Sequence, residues 1–119
     1  MRSLILLVGC LVAAPALADG KALYDALCST CHGVAGMGDG PGVPEEMIRP
    51  RPFSAGVFKF DTDSDWRKGT DADLANVIRN GTRAYGGSPL MPPWPGLDES
   101  QLAALVAHIR ALQRATPAP

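Results

Sequence analysis

Cys28-Ser29-Thr30-Cys31-His32 is the stretch on which the fold turns. Two thiols separated by two residues, with an imidazole beside the second, match the attachment site of a c-type haem. The spacing has a chemical reason. The thiols reach the two vinyl groups on one porphyrin edge as thioethers, and the adjacent imidazole is held beneath the iron, where a ring nitrogen ligates it. A single helical turn thereby ties one cofactor at three points.

The residues before this turn read as an export signal. Arg2 supplies a positive start, Leu4 to Ala14 form an apolar run, and Ala16-Leu17-Ala18 is a small-x-small cleavage site. Residues 1–18 are therefore expected to be removed, with the mature chain beginning at Asp19 and residing in the periplasm. The run is too short to span a bilayer and has no stop-transfer flank, which weighs against an uncleaved anchor. Leu7-Val8-Gly9-Cys10 resembles a lipobox, but cleavage there would leave the apolar residues 11–18 on the mature side. With Cys10 removed, Cys28 and Cys31 are the only thiols left in an oxidising compartment. A disulfide between them would close a tight loop with little chain entropy to remove. A thioredoxin-like pair needs a βαβ setting, and no strand pattern precedes Cys28. A zinc site needs two further ligands, and His108 is the only other His or Cys in the mature chain. Haem attachment is favoured over all three.

About a hundred mature residues make one domain, residues 19–114, small for a self-sufficient core. A covalently held porphyrin would add a large apolar surface for side chains to pack around. Loss of Arg2 with the signal leaves ten basic against twelve acidic side chains. That mild acidity, with no basic stripe, excludes nucleic-acid binding. Three helices are predicted. The first runs from Gly20 to Thr30, with Asp19 as its cap and Leu23 and Leu27 one turn apart. The second starts at Thr70, with Asp73 as capping-box partner, presents Leu74, Val77 and Ile78 on one face and stops at Asn80-Gly81. The third opens on Asp98 and Gln101 and carries a stripe of Leu102, Leu105, Val106, Ile109 and Leu112. Arg110 and Arg114 suit its C-terminal end, and residues 115–119 read as a frayed tail. Gly33 to Phe60 is rich in Gly and Pro and reads as an irregular loop, with a short extended segment at Val57 to Phe60.

The residue facing His32 across the iron decides the chemistry. Met37, Met47, Met91 and His108 are the candidates. Methionine is ordinarily core filler, and Met37 and Met47 are read so, as is His108, a packing residue beside Ile109. Met91 lies 59 residues after His32, within Ser88-Pro89-Leu90-Met91-Pro92-Pro93-Trp94-Pro95. Prolines fix φ and lack amide donors, so this segment is a stiff strap suited to holding a thioether at iron. His32 and Met91 are therefore the expected metal ligands. Such a pair raises the reduction potential and closes both axial positions, leaving electron passage at the haem edge and no easy site for a substrate.

Over Gly20 to Gln113 the chain resembles a class I bacterial c-type cytochrome. The resemblance rests on Gly20 and Tyr24, on Cys28-x-x-Cys31-His32-Gly33, on Gly36-x-Gly38-Asp39-Gly40-Pro41, on Met91-Pro92-x-Trp94 and on Leu105 to Leu112. It implies an all-α fold, the cytochrome c fold, with three main helices and long loops wrapped around one covalent haem c and its iron. It also implies a close crossing of first and last helices, permitted by Gly20 with Tyr24 packed nearby. Many relatives carry Tyr or Phe where this chain has His108, so a buried imidazole there would make the crossing sensitive to pH. The family uses a proline carbonyl to accept from the proximal imidazole, a role open to Pro41 or Pro44. Arg49-Pro50-Arg51-Pro52-Phe53 and Val57-Phe58-Lys59-Phe60 resemble a segment of some bacterial respiratory cytochromes. Arg49, Arg51 or Trp66 is then a candidate donor to a haem propionate.

The expected function is periplasmic single-electron transfer and not enzymatic turnover. The partners would be a redox donor and acceptor, such as a membrane respiratory complex or a periplasmic dehydrogenase, met by a monomer or by a subunit of a complex. The alternative is a five-coordinate haem protein with gas-binding, oxidase or peroxidase activity, which would require Met91 off the iron. A c-type four-helix bundle is disfavoured because its haem motif lies near the C-terminus, whereas here the motif opens the mature chain.

Overall fold

The computed structural model describes residues 19–115, together with the isolated Gly9. The expected signal segment with its cleavage site, the lipobox cysteine and residues 116–119 lie outside the described residues. The described chain is helical and contains no strand, as an all-α fold requires.

Helix α1 (Gly20–Leu27) is capped by Asp19, whose carboxylate accepts the Ala22 amide at 3.1 Å. The expected single helix to Thr30 is broken. Cys28 leaves helical geometry at φ −121°, ψ −35°, and a separate turn, α2 (Ser29–His32), follows. The break is held from both sides: the Cys28 amide donates to the Tyr24 carbonyl, and Ser29 Oγ donates to the Asp25 carbonyl. It turns the two cysteines and His32 as a unit relative to α1.

Helix α3 (Asp71–Asn80) begins with the predicted capping box between Thr70 and Asp73. Helix α4 (Glu99–Ala115) begins with reciprocal bonds between Asp98 and Gln101 of 2.8 and 2.9 Å, and it runs one residue into the expected tail. The apolar stripes bury as periodicity requires. Tyr24, Leu74, Ile78, Leu102, Leu105, Val106 and Ile109 form the core, while Val77 and Leu112 are half-buried at its edge. Helices α1 and α4 pack most extensively. A methyl group at Gly20 would collide with the Ala104 carbonyl oxygen, so only glycine allows this approach. Tyr24 is wholly buried there, with its hydroxyl donating to the Gly33 carbonyl at 2.6 Å. The half-buried His108 ring lies 5.0 Å from the Tyr24 ring, so the aromatic contact at the crossing survives the exchange to histidine.

Gly33 to Phe60 is loop, interrupted by a 3-10 turn at Phe53–Ala55. Val57 to Phe60 forms no strand because no neighbouring segment pairs with it. The segment that follows this loop is fixed by Asp73, which is 1% exposed. One Asp73 oxygen accepts the Thr62 amide and hydroxyl, both at 2.7 Å, and the other accepts the Thr70 amide and hydroxyl, both at 3.0 Å. Burial alone would push this carboxyl up, but the four hydrogen bonds outweigh it and hold the group at about 2. Because the folded value is depressed, the stabilisation is complete above the ordinary carboxylate range near pH ~4 and is lost as pH falls towards about 2. Asp73→Ala should lower unfolding free energy by about 3 kcal/mol in urea titration at neutral pH. The variant should also show a shallower loss of stability below pH ~4 than the parent. Equal acid profiles would contradict this assignment.

Candidate cofactor site

Three elements converge on one cavity of about 620 Å³: the α2 turn, the loop on either side of Phe53, and the strap after α3. Its walls are mainly apolar and include Cys28, Cys31, His32 and Met91 together. The four residues singled out from sequence, 63 positions apart at their extremes, thus share one enclosure.

Cys28 is half-buried, Cys31 is exposed, and neither is in a disulfide. Burial, reinforced by the neighbouring Cys31, pushes the Cys28 thiol up to about 11. That is the reverse of the activated thiol a dithiol redox pair needs. Burial also pushes the His32 imidazole down from its ordinary value, so it is neutral at physiological pH and free to ligate. His32 Nδ1 is buried with no hydrogen-bond partner. The expected proline acceptor is therefore not found. Pro41 does not line the cavity, and Pro44, whose carbonyl accepts the Met47 amide at 3.0 Å, makes no hydrogen bond to His32.

The candidates for the second ligand separate in space. Met37 lies away from the cavity, its sulfur accepting from Ser54 Oγ at 3.9 Å. His108 is also outside the lining. Met47, read as core filler, is corrected: the surface turn that begins at Pro44 leaves it 42% exposed on the cavity wall. Met91 is half-buried and packs on the hydrophobic core. Its strap is pinned where the Trp94 amide donates to the Ile78 carbonyl at the end of α3 at 3.0 Å. Gly81 makes room for it. At φ +75°, a conformation that favours glycine, a Cβ there would also stand a tight 3.0 Å from the Met91 carbonyl oxygen.

Arg49 and Arg51 line the cavity, and Arg49 reaches the Gly40 carbonyl at 3.5 Å. Trp66 is corrected as a donor to the site. It is 94% exposed and lies on an acidic turn where Asp61 accepts the amides of Asp65 and Trp66. Sequence reasoning missed Phe53 and Phe58, which line the cavity in a stack with His32. The available donor set is two free thiols, a neutral imidazole with an orphaned buried nitrogen, and a thioether, all lining one mainly apolar cavity. It fits haem c.

A family model described as "Cytochrome C oxidase, cbb3-type, subunit III" matches residues 15–109. No curated protein matches the chain. Among solved structures, a chain of the reducing HAO-like protein complex of Kuenenia stuttgartiensis is similar. It shares 33% sequence identity over 84% of this chain, with a TM-score of 0.65. The present chain spans 46% of that protein's length.

Proposed function

Because this chain belongs to the c-type cytochrome family described as cbb3-type cytochrome c oxidase subunit III, we propose that it is a periplasmic single-electron transfer protein with one covalent haem c, ligated by His32 and Met91. The observation that carries the reading is the shared cavity, in which the Cys28–His32 turn and the Met91 strap face one enclosure. Haem c supplies a one-electron iron couple when bound. The chain's own residues would hold it: Cys28 and Cys31 would supply the thioether sulfurs, His32 and Met91 would ligate the iron, and the mainly apolar lining would shield it from water. Arg49 and Arg51 are the cations on the wall available to its carboxylates. Ligation by both residues would leave the chain to pass electrons to a redox partner, either as a diffusing carrier or as a haem subunit docked in a larger assembly. The similarity to a chain from a redox protein complex supports the second form. Among the described residues no helix is long and apolar enough to cross a membrane.

The test is expression with the native leader in a host competent for cytochrome c maturation. Intact mass of the periplasmic product should equal residues 19–119 plus one haem, and the ferric protein should show the weak long-wavelength band of iron–thioether ligation. Absence of that band together with rapid carbon monoxide binding to the reduced protein would replace this reading with the five-coordinate one.

A further inference from the structure

We propose that Asn80 is a latent deamidation site, held shut by Tyr85 and by the end of α3, and that its isoaspartyl product displaces the Met91 strap. The second half rests on the proposed role of Met91 as iron ligand. Asn80-Gly81 joins α3 to the 3-10 turn Thr82–Tyr85. Before a glycine, the following main-chain nitrogen attacks an asparagine side chain with least hindrance, because glycine has no Cβ and turns freely in φ and ψ. The chain's other asparagine, Asn76, is followed by the β-branched Val77 and lacks this freedom. In the reaction the Gly81 nitrogen bonds to Asn80 Cγ as the Cγ–Nδ2 bond breaks. The amide proton passes through water to the departing nitrogen, which leaves as ammonia. Water then opens the five-membered imide. Cleavage of the new bond gives aspartate, and cleavage of the original peptide bond gives isoaspartate, whose main chain is one carbon longer.

Asn80 is exposed to the water that both steps need, yet the folded chain withholds both reacting groups. Asn80 Nδ2 donates to the Tyr85 hydroxyl at 2.8 Å, which restrains the side chain that must turn towards Gly81. The Tyr85 ring is placed for this against Phe60, with centroids 6.4 Å apart. Gly81 is buried, and its amide is spent on the Val77 carbonyl at 2.8 Å. Attack therefore waits for the last turn of α3 to open, a local event well short of global unfolding. Asn80, Gly81 and Tyr85 do not line the cavity, so the guard lies outside the space a cofactor fills. What lies beyond Gly81 gives the product its consequence. A Cβ on Gly81 would stand 3.0 Å from both the Met91 carbonyl oxygen and the Pro93 nitrogen, so the strap leaves no slack for a longer main chain. Isoaspartate also draws the Gly81 amide off Val77, one residue before the Ile78 carbonyl that pins Trp94.

The test incubates holoprotein of the parent, of Tyr85→Phe, which keeps the ring, and of Asn80→Gln at mildly alkaline pH. Peptide mapping by mass spectrometry reads the amide-to-acid change at each position, and enzymatic methylation reads isoaspartate. Conversion should occur at Asn80 and not at Asn76. In Tyr85→Phe it should run about fivefold faster, the rate equivalent of one lost hydrogen bond. Asn80→Gln should stay unconverted. No conversion at Asn80, or equal rates in the parent and Tyr85→Phe, would overturn the guarded site. The reduced, converted fraction should bind carbon monoxide rapidly while the fresh parent does not, and conversion without that gain overturns the coupling to the strap. Rapid binding by the fresh parent instead removes Met91 from the iron, and with it the coupling, while the mass measurement still decides the site.

Discussion

Cys31→Ser is expected to weaken covalent haem retention, and the double change Cys28→Ser with Cys31→Ser to abolish it. After denaturation and acid extraction, the haem should leave the double variant completely and remain with the parent. The effect should be larger than loss of a redox centre. Among the described residues the core comprises seven buried apolar side chains, beside a cavity of about 620 Å³. A domain of this size has little apolar burial to spare. Without a group to fill that cavity, Phe53, Phe58, Leu74 and Met91 lose packing on one side. The expected loss is at least about 5 kcal/mol, comparable with the whole stability of a small domain. The measurement is urea unfolding followed by far-ultraviolet circular dichroism. A double variant that unfolds with the parent's midpoint would mean that the cavity is not filled by the group these thiols hold.

Met91→Ala should leave attachment intact and change the iron. Thioether ligation favours the reduced state, and axial ligands as a class set potentials over about 0.8 V, so the expected fall is on the order of 0.1–0.3 V. The reduced variant should also bind carbon monoxide rapidly, which the parent should not. The strap limits rescue by neighbours: Trp94 is tied to Ile78, and Gly81 keeps the Met91 carbonyl within van der Waals reach. Met47 shares the cavity wall but sits on a separate surface turn. An unchanged potential with no gain of carbon monoxide binding would remove Met91 from the iron, and Met47→Ala would then be the variant to examine.

Features whose partners lie within one helical turn were legible in the sequence. The Thr70–Asp73 and Asp98–Gln101 boxes and the α4 stripe need only local spacing, and they form as read. Gly20 was legible only through the family resemblance, which implied the close crossing that a glycine there permits. Features decided by long-range neighbours were not. Asp73 looked like a cap alone, yet half of its hydrogen bonds come from Thr62, in a loop without periodicity. The break at Cys28 depends on the reach of Ser29 back to Asp25, which competes with continuation of the helix. Phe53 carried one usable signal, an aromatic residue in a proline-rich loop, but nothing in its spacing tied it to His32. Trp66 misled because an indole N–H is a fitting carboxylate donor by type alone, whereas the side chain is 94% exposed on a turn where Asp61 accepts its amide.

The crossing of α1 and α4 also sets an order of events. Gly20 and Ala104 approach across 84 residues of sequence, so the first helix lacks its most extensive partner until nearly the whole chain exists. Contacts of such separation form late because the intervening loop must close first. During that interval Tyr24 cannot bury, its bond to Gly33 is unsupported, and the Cys28–His32 turn stays open to any catalyst that must reach it. The same contact that completes the fold therefore also closes the interval in which the half-buried Cys28 is freely accessible.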